Sequence, residues 1–196
     1  MDRDAGPRVR CHPGTVIATL ETERLVLRPF TAADLAALVG LQAEETFWWY
    51  PLRRGMTDAE TAAFLDRVID QSSDPGRPAF HAVTGRATGS LMGWAGLAVP
   101  DFLPEILPAV EVGWRLGIEF RGKGYATEAA EAALRWGFEE LGIDEIVSIY
   151  EPENVPSGRV MDRLGFGPGA ATTDPKRDVP LLVRRLTSDA WRTAGR

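Results

Sequence analysis

The chain has 196 residues, with 22 Lys and Arg against 28 Asp and Glu and a formal net charge of −6, a balance that argues against broad nucleic-acid binding. The single cysteine, Cys11, excludes an internal disulfide and a multi-cysteine metal site, and two histidines, His12 and His81, argue against a histidine-based metal site. Hydrophobic residues make up 44% and charged residues 26%, which is typical of one globular domain, and its acidic surface suits a cationic substrate such as an amine.

The N-terminal segment shows no periodic pattern. We predict a flexible extension over residues 1–18 and a single domain over residues 19–196. No apolar run approaches the ~20 residues of a membrane span, and the first residues lack the apolar core of a signal peptide. We therefore expect a cytoplasmic protein that binds no membrane.

A short strand and two helices are predicted in the first third of the chain. The strand is Leu25–Pro29, because its residues are β-prone and Pro29 ends it. Thr31 can cap a first helix whose apolar residues recur at helical spacing. The segment Thr57–Glu60 has the pattern of a capping box and opens a second helix.

Four aromatic residues in a row stand between the two helices, at positions 47–50. Trp48, Trp49 and Tyr50 either line a pocket for an acceptor substrate or close one end of the core, since tryptophan often packs with its N–H group satisfied. The sequence pattern leaves both interpretations open.

A β-hairpin and a central strand are predicted next. The hairpin comprises Phe80–Thr84 and Ser90–Val99, and a proline-rich loop leads from it to the central strand at Val110–Leu116. Glu111 alternates with Val110 and Val112, so its side chain is expected on the opposite side of the sheet from theirs.

The segment after the central strand has the pattern of an anion-binding turn. The turn Arg121–Ala126 opens directly into a long helix, so the first backbone N–H groups of that helix are free to meet an anion, and the helix dipole favours one. Gly122 and Gly124 allow a phosphate to approach the backbone closely. The spacing fits neither the dinucleotide fingerprint nor the P-loop.

The second half of the chain predicts four further elements. They are a long helix between Gly124 and Gly142, a strand at Glu145–Tyr150, a short helix at about Pro156–Leu164 and a strand at Val179–Leu186. One more strand near Phe166 is an option, and Trp191 is left in the tail. The predicted order is β-α-α-β-β-β-α-β-α-β.

Several motifs in this order resemble the GNAT superfamily of acyl-CoA-dependent N-acetyltransferases. Arg121, Gly124 and Ala126 fit R-x-x-G-x-[GA], and the segment from Asn154 to Ser157, followed by residues 160–166, looks like the N-x-x-S…L-G-F signature. The opening at residues 23–29 and the closing residues up to Trp191 are similar to the branch of ribosomal-protein N-terminal alanine acetyltransferases.

The resemblance implies an α/β (α+β) GNAT fold. Such a fold has a mixed, mostly antiparallel central sheet of six to seven strands, flanked by about four helices, with central strands that splay apart. It also implies acetyl-CoA as cosubstrate, which would lie where those strands separate. The residues implied to bind it are Gly113, Trp114, Arg115 and Leu116 along the pantetheine arm, Arg121, Gly122, Lys123, Gly124, Tyr125 and Ala126 around the pyrophosphate, and Asn154 and Ser157 near the thioester.

Three residues are candidates for catalysis by the same resemblance. Glu111 would act as the base, directly or through water, or would only hold a neighbouring backbone or arginine group. Ser157 would return a proton to the leaving thiolate, with a helix-start hydrogen bond as its alternative. Tyr150 is a rival proton donor, although a tyrosine in a strand is more often part of the core. Asn154 could likewise serve only as a helix cap.

The function implied is direct transfer of an acetyl group to a primary amine in a ternary complex, without a covalent cysteine intermediate. The acceptor is a protein or peptide N-terminus or a small-molecule amine, and the protein is expected to be a monomer or homodimer that binds neither metal nor nucleic acid. The alternative is a non-catalytic acyl-CoA-binding or sensing module on the same fold.

Overall fold

One mixed sheet forms the centre of the protein. The computed structural model describes residues 17–74 and 76–195, apart from the side chain of Trp49, and eight strands lie within these residues. Their order across the sheet is β1-β2-β3-β4-β5-β6-β8-β7. The strands are β1 (Leu20–Glu21), β2 (Leu25–Arg28), β3 (Phe80–Gly85), β4 (Leu91–Ala98), β5 (Val110–Leu116), β6 (Glu145–Tyr150), β7 (Ala170–Asp174) and β8 (Val179–Thr187).

Helices cover both faces of the sheet. Within the described residues they are α1 (Leu35–Gln42), α2 (Trp49–Leu52), α3 (Asp58–Ser72), α4 (Tyr125–Arg135), α5 (Val155–Leu164) and α6 (Ser188–Thr193). One apolar cluster joins α1 and α3 to Ala82 and Trp94 of the sheet. A second cluster joins α4, α5 and α6 to β5, β6 and β8 on the other face. The protein is therefore a three-layer structure with a core on each side of the sheet.

The predicted helix starts are confirmed. The Thr57 hydroxyl accepts a hydrogen bond from the Glu60 N–H group, and the Glu60 carboxylate accepts one from the Thr57 N–H group. Thr31 and Asp34 form a similar reciprocal pair ahead of α1, with a 3-10 turn in between. These short-range hydrogen bonds satisfy N–H groups that a helix leaves free at its start.

The sheet and helix layers are larger than the sequence predicted. The number of strands is eight rather than six to seven, because the short strand β1 pairs with β2. The optional strand near Phe166 lies instead at Ala170–Asp174, where it pairs with β8. The supposed tail forms α6, and its Trp191 is buried against Phe138 with ring centroids 5.6 Å apart.

Ile17 and Ala18 already belong to the packed structure. The Ile17 side chain is buried, and the carbonyl oxygen of Ala18 lies 3.1 Å from Nε2 of the buried His81. Residues 1–16, which include Cys11 and most of the predicted flexible extension, lie outside the described residues.

The central strands separate soon after they meet, as predicted. β5 and β6 form the parallel pair of the sheet, and they pair only through Val110 with Ile146 and Glu111 with Val147. The Ser148 hydroxyl then donates a hydrogen bond to the Val112 carbonyl oxygen at 3.1 Å. β5 remains paired with β4 as far as Leu116. A gap therefore opens on the β6 side of residues 113–116.

Candidate active site

A cavity of about 1060 Å³ extends along this gap. Its walls come from the loop after α1, the end of β5, the turn before α4 and the exposed sides of α4 and α5. The lining residues are Thr46, Phe47, Tyr50, Trp114, Arg115, Leu116, Phe120, Arg121, Gly122, Gly124, Tyr125, Ala126, Thr127, Glu128, Glu131, Asn154, Pro156, Ser157, Arg159, Val160 and Arg163.

The turn at residues 121–126 has the backbone that its glycines predict. Gly122 and Gly124 have φ angles of +73° and +85°, in the left-handed region that disfavours other residues. Because Gly124 is the residue just before α4, the following N–H groups are at a helix N-terminus and beside the cavity. A Cβ at Gly122 would meet nothing within 4 Å, so the backbone there is open to a ligand.

Arg24, the residue just before β2, stabilises this turn through its side chain. Its guanidinium donates a hydrogen bond to the Lys123 carbonyl oxygen at 3.0 Å and lies 4.5 Å from the centre of the Tyr125 ring. It also forms an ion pair with Glu128 at 2.6 Å, which neutralises a carboxylate in the first turn of α4. Sequence analysis assigned no role to Arg24, because Lys123 and Glu128 lie 99 and 104 residues further along the chain.

The two positively charged side chains of the turn, Arg121 and Lys123, have different surroundings. Arg121 donates hydrogen bonds to the carbonyl oxygens of Leu116 at 3.0 Å and Thr46 at 2.7 Å, so its guanidinium ties the loop after α1 to the end of β5. Lys123 is exposed and is not part of the cavity wall. Arg121 therefore shapes the cavity as well as adding positive charge to it.

Glu111 faces away from the apolar side of β5, as predicted. Burial raises the pKa of its carboxyl group to about 8, although the Ile149 backbone N–H group and the charge of Arg115 both favour the ionised form. The Ile149 N–H group belongs to β6, beyond the last strand pair with β5. Glu111 thus lies at the point where the two strands separate, and it can gain or lose a proton near neutral pH.

Arg115 lies on the same face of β5 as Glu111. Its guanidinium donates a hydrogen bond to the Phe47 carbonyl oxygen and lies 4.0 Å from the centre of the Trp48 ring and 5.5 Å from that of Trp94. Burial and, after it, the nearby charge of Arg121 lower the pKa of Arg115 to about 9, although the charge of Glu111 acts in the opposite direction. β5 thus places the positively charged Arg115 side chain among the aromatic rings of Trp48 and Trp94.

The aromatic run at 47–50 divides between both predicted roles. Phe47 and Tyr50 line the cavity. Trp48 lies instead in the core, 9% exposed, with its ring 6.1 Å from Trp94 and 6.2 Å from Phe64. The side chain of Trp49 is outside the described part of the chain.

Asn154, Ser157 and Tyr150 meet at the start of α5. The Asn154 side chain accepts a hydrogen bond from the Ser157 N–H group at 3.4 Å, so it is the N-cap of α5. Both residues also line the cavity. Tyr150 packs against α5 at Gly158 and belongs to the apolar cluster beneath the cavity, not to its wall.

The structure brings most of the predicted site residues to one cavity. Those in its wall are Tyr50, Trp114, Arg115, Leu116, Arg121, Gly122, Gly124, Tyr125, Ala126, Asn154 and Ser157. Those outside it are Trp48, Glu111, Gly113, Lys123 and Tyr150. The sequence reasoning missed Thr46 of the loop after α1 and Arg159 on α5, whereas Phe47 belongs to the aromatic run for which a pocket role was predicted.

The described residues offer little support for other kinds of site. They contain no group of three His, Cys, Asp or Glu side chains placed to hold a metal ion. Over the same part of the chain, every helix is too short or too polar to cross a membrane.

Comparisons with known proteins agree on one family. The sequence matches the family model described as an acetyltransferase (GNAT) domain over residues 24–167. YnaD of Bacillus subtilis (strain 168), an uncharacterized N-acetyltransferase, is 28% identical over 147 residues, which cover 75% of this chain and 81% of that protein. The ribosomal protein uS5-alanine N-acetyltransferase of Escherichia coli (strain K12) is 26% identical over 152 residues, covering 75% and 77%.

A solved structure agrees with the sequence matches. The acetyltransferase from Agrobacterium tumefaciens str. C58 is 30% identical, with a TM-score of 0.70 over 90% of this chain and 98% of that one. The family match at residues 24–167 includes every residue of the cavity wall.

Proposed function

Because the chain belongs to the GNAT acetyltransferase family and is an N-acetyltransferase, we propose that it transfers the acetyl group of acetyl-CoA directly to a primary amine while both substrates are bound. The observation that carries this proposal is the gap that follows the two-residue pairing of β5 and β6, with a cavity along it. A gap inside a sheet leaves backbone N–H and C=O groups that an extended ligand can pair with.

The turn before α4 supports binding of the diphosphate of CoA. The backbone N–H groups at Gly122 to Ala126 combine left-handed glycines with a helix N-terminus, and this combination suits a phosphate. Arg24 keeps the turn in shape and cancels the charge of Glu128, which would otherwise repel an anion. The pantetheine arm would then follow residues 113–116 of β5 like an added strand, with Asn154 and Ser157 at its other side.

Glu111 supports the proton transfer that the reaction needs. The amine nitrogen attacks the thioester carbonyl carbon, the new C–N bond forms, and the C–S bond breaks to release CoA as a thiolate. The amine loses one proton in this process, and a carboxylate with a pKa of about 8 can accept it near neutral pH. Ser157, in the cavity wall at the start of α5, can return a proton to the sulfur. Tyr150 is the alternative donor.

The proposal predicts two separable results. Calorimetric titration should show that acetyl-CoA binds, and mass spectrometry after incubation with N-terminal peptides and small amines should show an added acetyl group on at least one acceptor. Glu111→Gln should keep acetyl-CoA affinity and have a much lower turnover. Binding without transfer to any amine would contradict the proposed activity.

A further inference from the structure

Three buried N–H groups of neighbouring side chains have no acceptor among the described residues. They are Nε1 of Trp48, Nε1 of Trp94 and Nε of Arg115. The two indole rings are 6.1 Å apart, and the Arg115 guanidinium lies 4.0 Å from the first ring and 5.5 Å from the second. A buried donor without an acceptor is unfavourable. Of the three, only Arg115 lines the cavity, so its Nε–H group is the one for which a bound ligand can supply the acceptor.

The cluster also carries uncompensated positive charge. Arg115 forms no salt bridge with any described residue. Its guanidinium donates a hydrogen bond to the Phe47 carbonyl oxygen, which is neutral. Glu111 on the same strand attracts this cation but forms no salt bridge with it, and burial raises the pKa of the Glu111 carboxyl group to about 8, so it is not a fully ionised partner at neutral pH. Arg121 adds a second positive charge nearby. A buried cation of this kind is stabilised by an anion with hydrogen-bond acceptors.

The place of the cluster relates it to the acceptor rather than to CoA. Arg115 lies against Trp48 and Trp94, which pack with α1 and α3 on one face of the sheet, whereas α4, which follows the turn at residues 121–126, packs on the opposite face. The face of β5 that carries Arg115 also carries Glu111, the group proposed to take the proton of the amine. The anion and the reacting amine would thus be on one side of the sheet.

We propose that the acceptor amine carries a carboxylate, and that Arg115, which lines the cavity, binds this carboxylate. The proposal rests on the acetyl-transfer function described above and names its substrate class. A guanidinium suits a carboxylate because it presents two parallel N–H groups to two oxygens. The carboxylate can come from a free amino acid or from an acidic residue at a peptide N-terminus.

The test compares each acid with its own amide. The panel consists of free amino acids, their amides, and short peptides that begin with Asp or Glu or with Asn or Gln. The wild-type protein should acetylate at least one acid with a kcat/KM roughly 10- to 100-fold above that of the matching amide. Arg115→Gln should reduce this ratio to about one, and Arg115→Lys should give an intermediate ratio. The change of ratio between wild type and variant cancels the difference in amine basicity.

A purely structural role for Arg115 would give a different result. If Arg115 only held the Phe47 carbonyl oxygen, its replacement would lower the rates for acid and amide alike and leave their ratio unchanged. Arg121→Gln, which removes the neighbouring cation, serves as the comparison and should weaken acetyl-CoA binding more than it changes the ratio.

Failure of this inference and failure of the proposed function give different experimental results. A wild-type preference for the amides, an unchanged ratio in Arg115→Gln, or acetyl-CoA binding without transfer to any acid of the panel would overturn the inference. Loss of acetyl-CoA affinity in Arg115→Gln would also overturn it, since the anion would then belong to CoA. A protein that does not bind acetyl-CoA at all would contradict the proposed function instead.

Discussion

Arg53 and Glu151, 98 residues apart in sequence, form an ion pair that joins the loop before α3 to the residue after β6. Glu151 is buried, at 6% exposure, while Arg53 is partly exposed and also stacks on the ring of Tyr50 at 4.4 Å. Since Tyr50 lines the cavity, this pair connects the side of the cavity formed by Tyr50 to the end of β6, across the gap.

Arg53→Gln is expected to destabilise the protein, because it leaves the buried Glu151 carboxylate without its cation. The expected loss is about 2 kcal/mol of unfolding free energy, which corresponds to a fall in Tm of roughly 4–8 °C. Differential scanning fluorimetry and urea unfolding would measure it. The double variant Arg53→Gln/Glu151→Gln should lose less than the sum of the two single variants.

The neighbouring Arg54 offers a matched control. Arg54 pairs with Glu60 at 2.6 Å, but both side chains are well exposed. Arg54→Gln should therefore change Tm little, as exposed pairs usually contribute little. A similar loss of Tm in Arg54→Gln and Arg53→Gln would show that the pair across the gap has no special contribution.

Glu111 predicts a pH dependence of the rate. Its pKa of about 8 means that the carboxylate needed as a base is scarce below that pH. The kcat/KM of the wild type should rise through about pH 8 and then level off, and Glu111→Gln should lose this step and retain only the ionisation of the amine. A wild-type profile that matches that of Glu111→Gln in shape would remove Glu111 from the mechanism.

The same shift has a second consequence, for stability. The folded state raises the pKa of Glu111 above its ordinary value of 4.5. The Glu111 carboxyl group therefore makes its full contribution to the unfolding free energy below pH 4.5, and this contribution is lost as the pH rises through about 8. The unfolding free energy of the wild type should therefore fall relative to that of Glu111→Gln between pH 5 and pH 8. Urea unfolding at several pH values measures this difference without any substrate.

Gly122→Ala tests the turn before α4. Its left-handed backbone, at φ +73°, makes alanine costly by about 1 kcal/mol, and the added Cβ would stand where a phosphate approaches. Acetyl-CoA affinity should fall about tenfold or more in a calorimetric titration.

Gly89→Ala is the control for backbone strain. Gly89 has φ +68°, also meets nothing within 4 Å, and lies in the turn between β3 and β4, away from the cavity. It should lose similar stability and keep wild-type affinity for acetyl-CoA. Equal affinities in Gly89→Ala and Gly122→Ala would contradict diphosphate binding at the turn.

The two roles considered for Asn154, as the cap of α5 and as a ligand of the pantetheine arm, can be tested separately. Asn154→Ala removes the cap of α5 and should cost about 1 kcal/mol of stability, whereas Asn154→Ser retains an oxygen acceptor and should be close to wild type. If the Asn154 amide also binds the pantetheine arm, both variants should bind acetyl-CoA more weakly. Wild-type affinity in Asn154→Ser would leave the residue as a cap alone.

The sequence predicts local features well. The turn at residues 121–126, the capping box at Thr57 and the cap at Asn154 each depend on groups within a few residues of one another. Their geometry is therefore set by residue type and spacing. The alternation in β5 likewise assigns Glu111 to the correct face, because side chains in a strand alternate.

Features that depend on distant residues could not be predicted. Phe47 and Trp48 are both buried, yet only Phe47 lines the cavity. This difference depends on Arg115 and Trp94, which contact Trp48 from the sheet. Arg24 supports the turn through Lys123 and Glu128, 99 and 104 residues away. Spacing in the sequence carries no information on such partners.

The short pairing of β5 with β6 also bears on how the protein unfolds. The sheet is continuous from β1 to β5 and again from β6 through β8 to β7, but the strand pairing between these blocks comprises only two residue pairs among the described residues. Amide hydrogen exchange should therefore be less cooperative across this seam than within either block. A ligand that spans the seam would couple the two blocks, so that its binding slows exchange in β8 and β7, which it never touches.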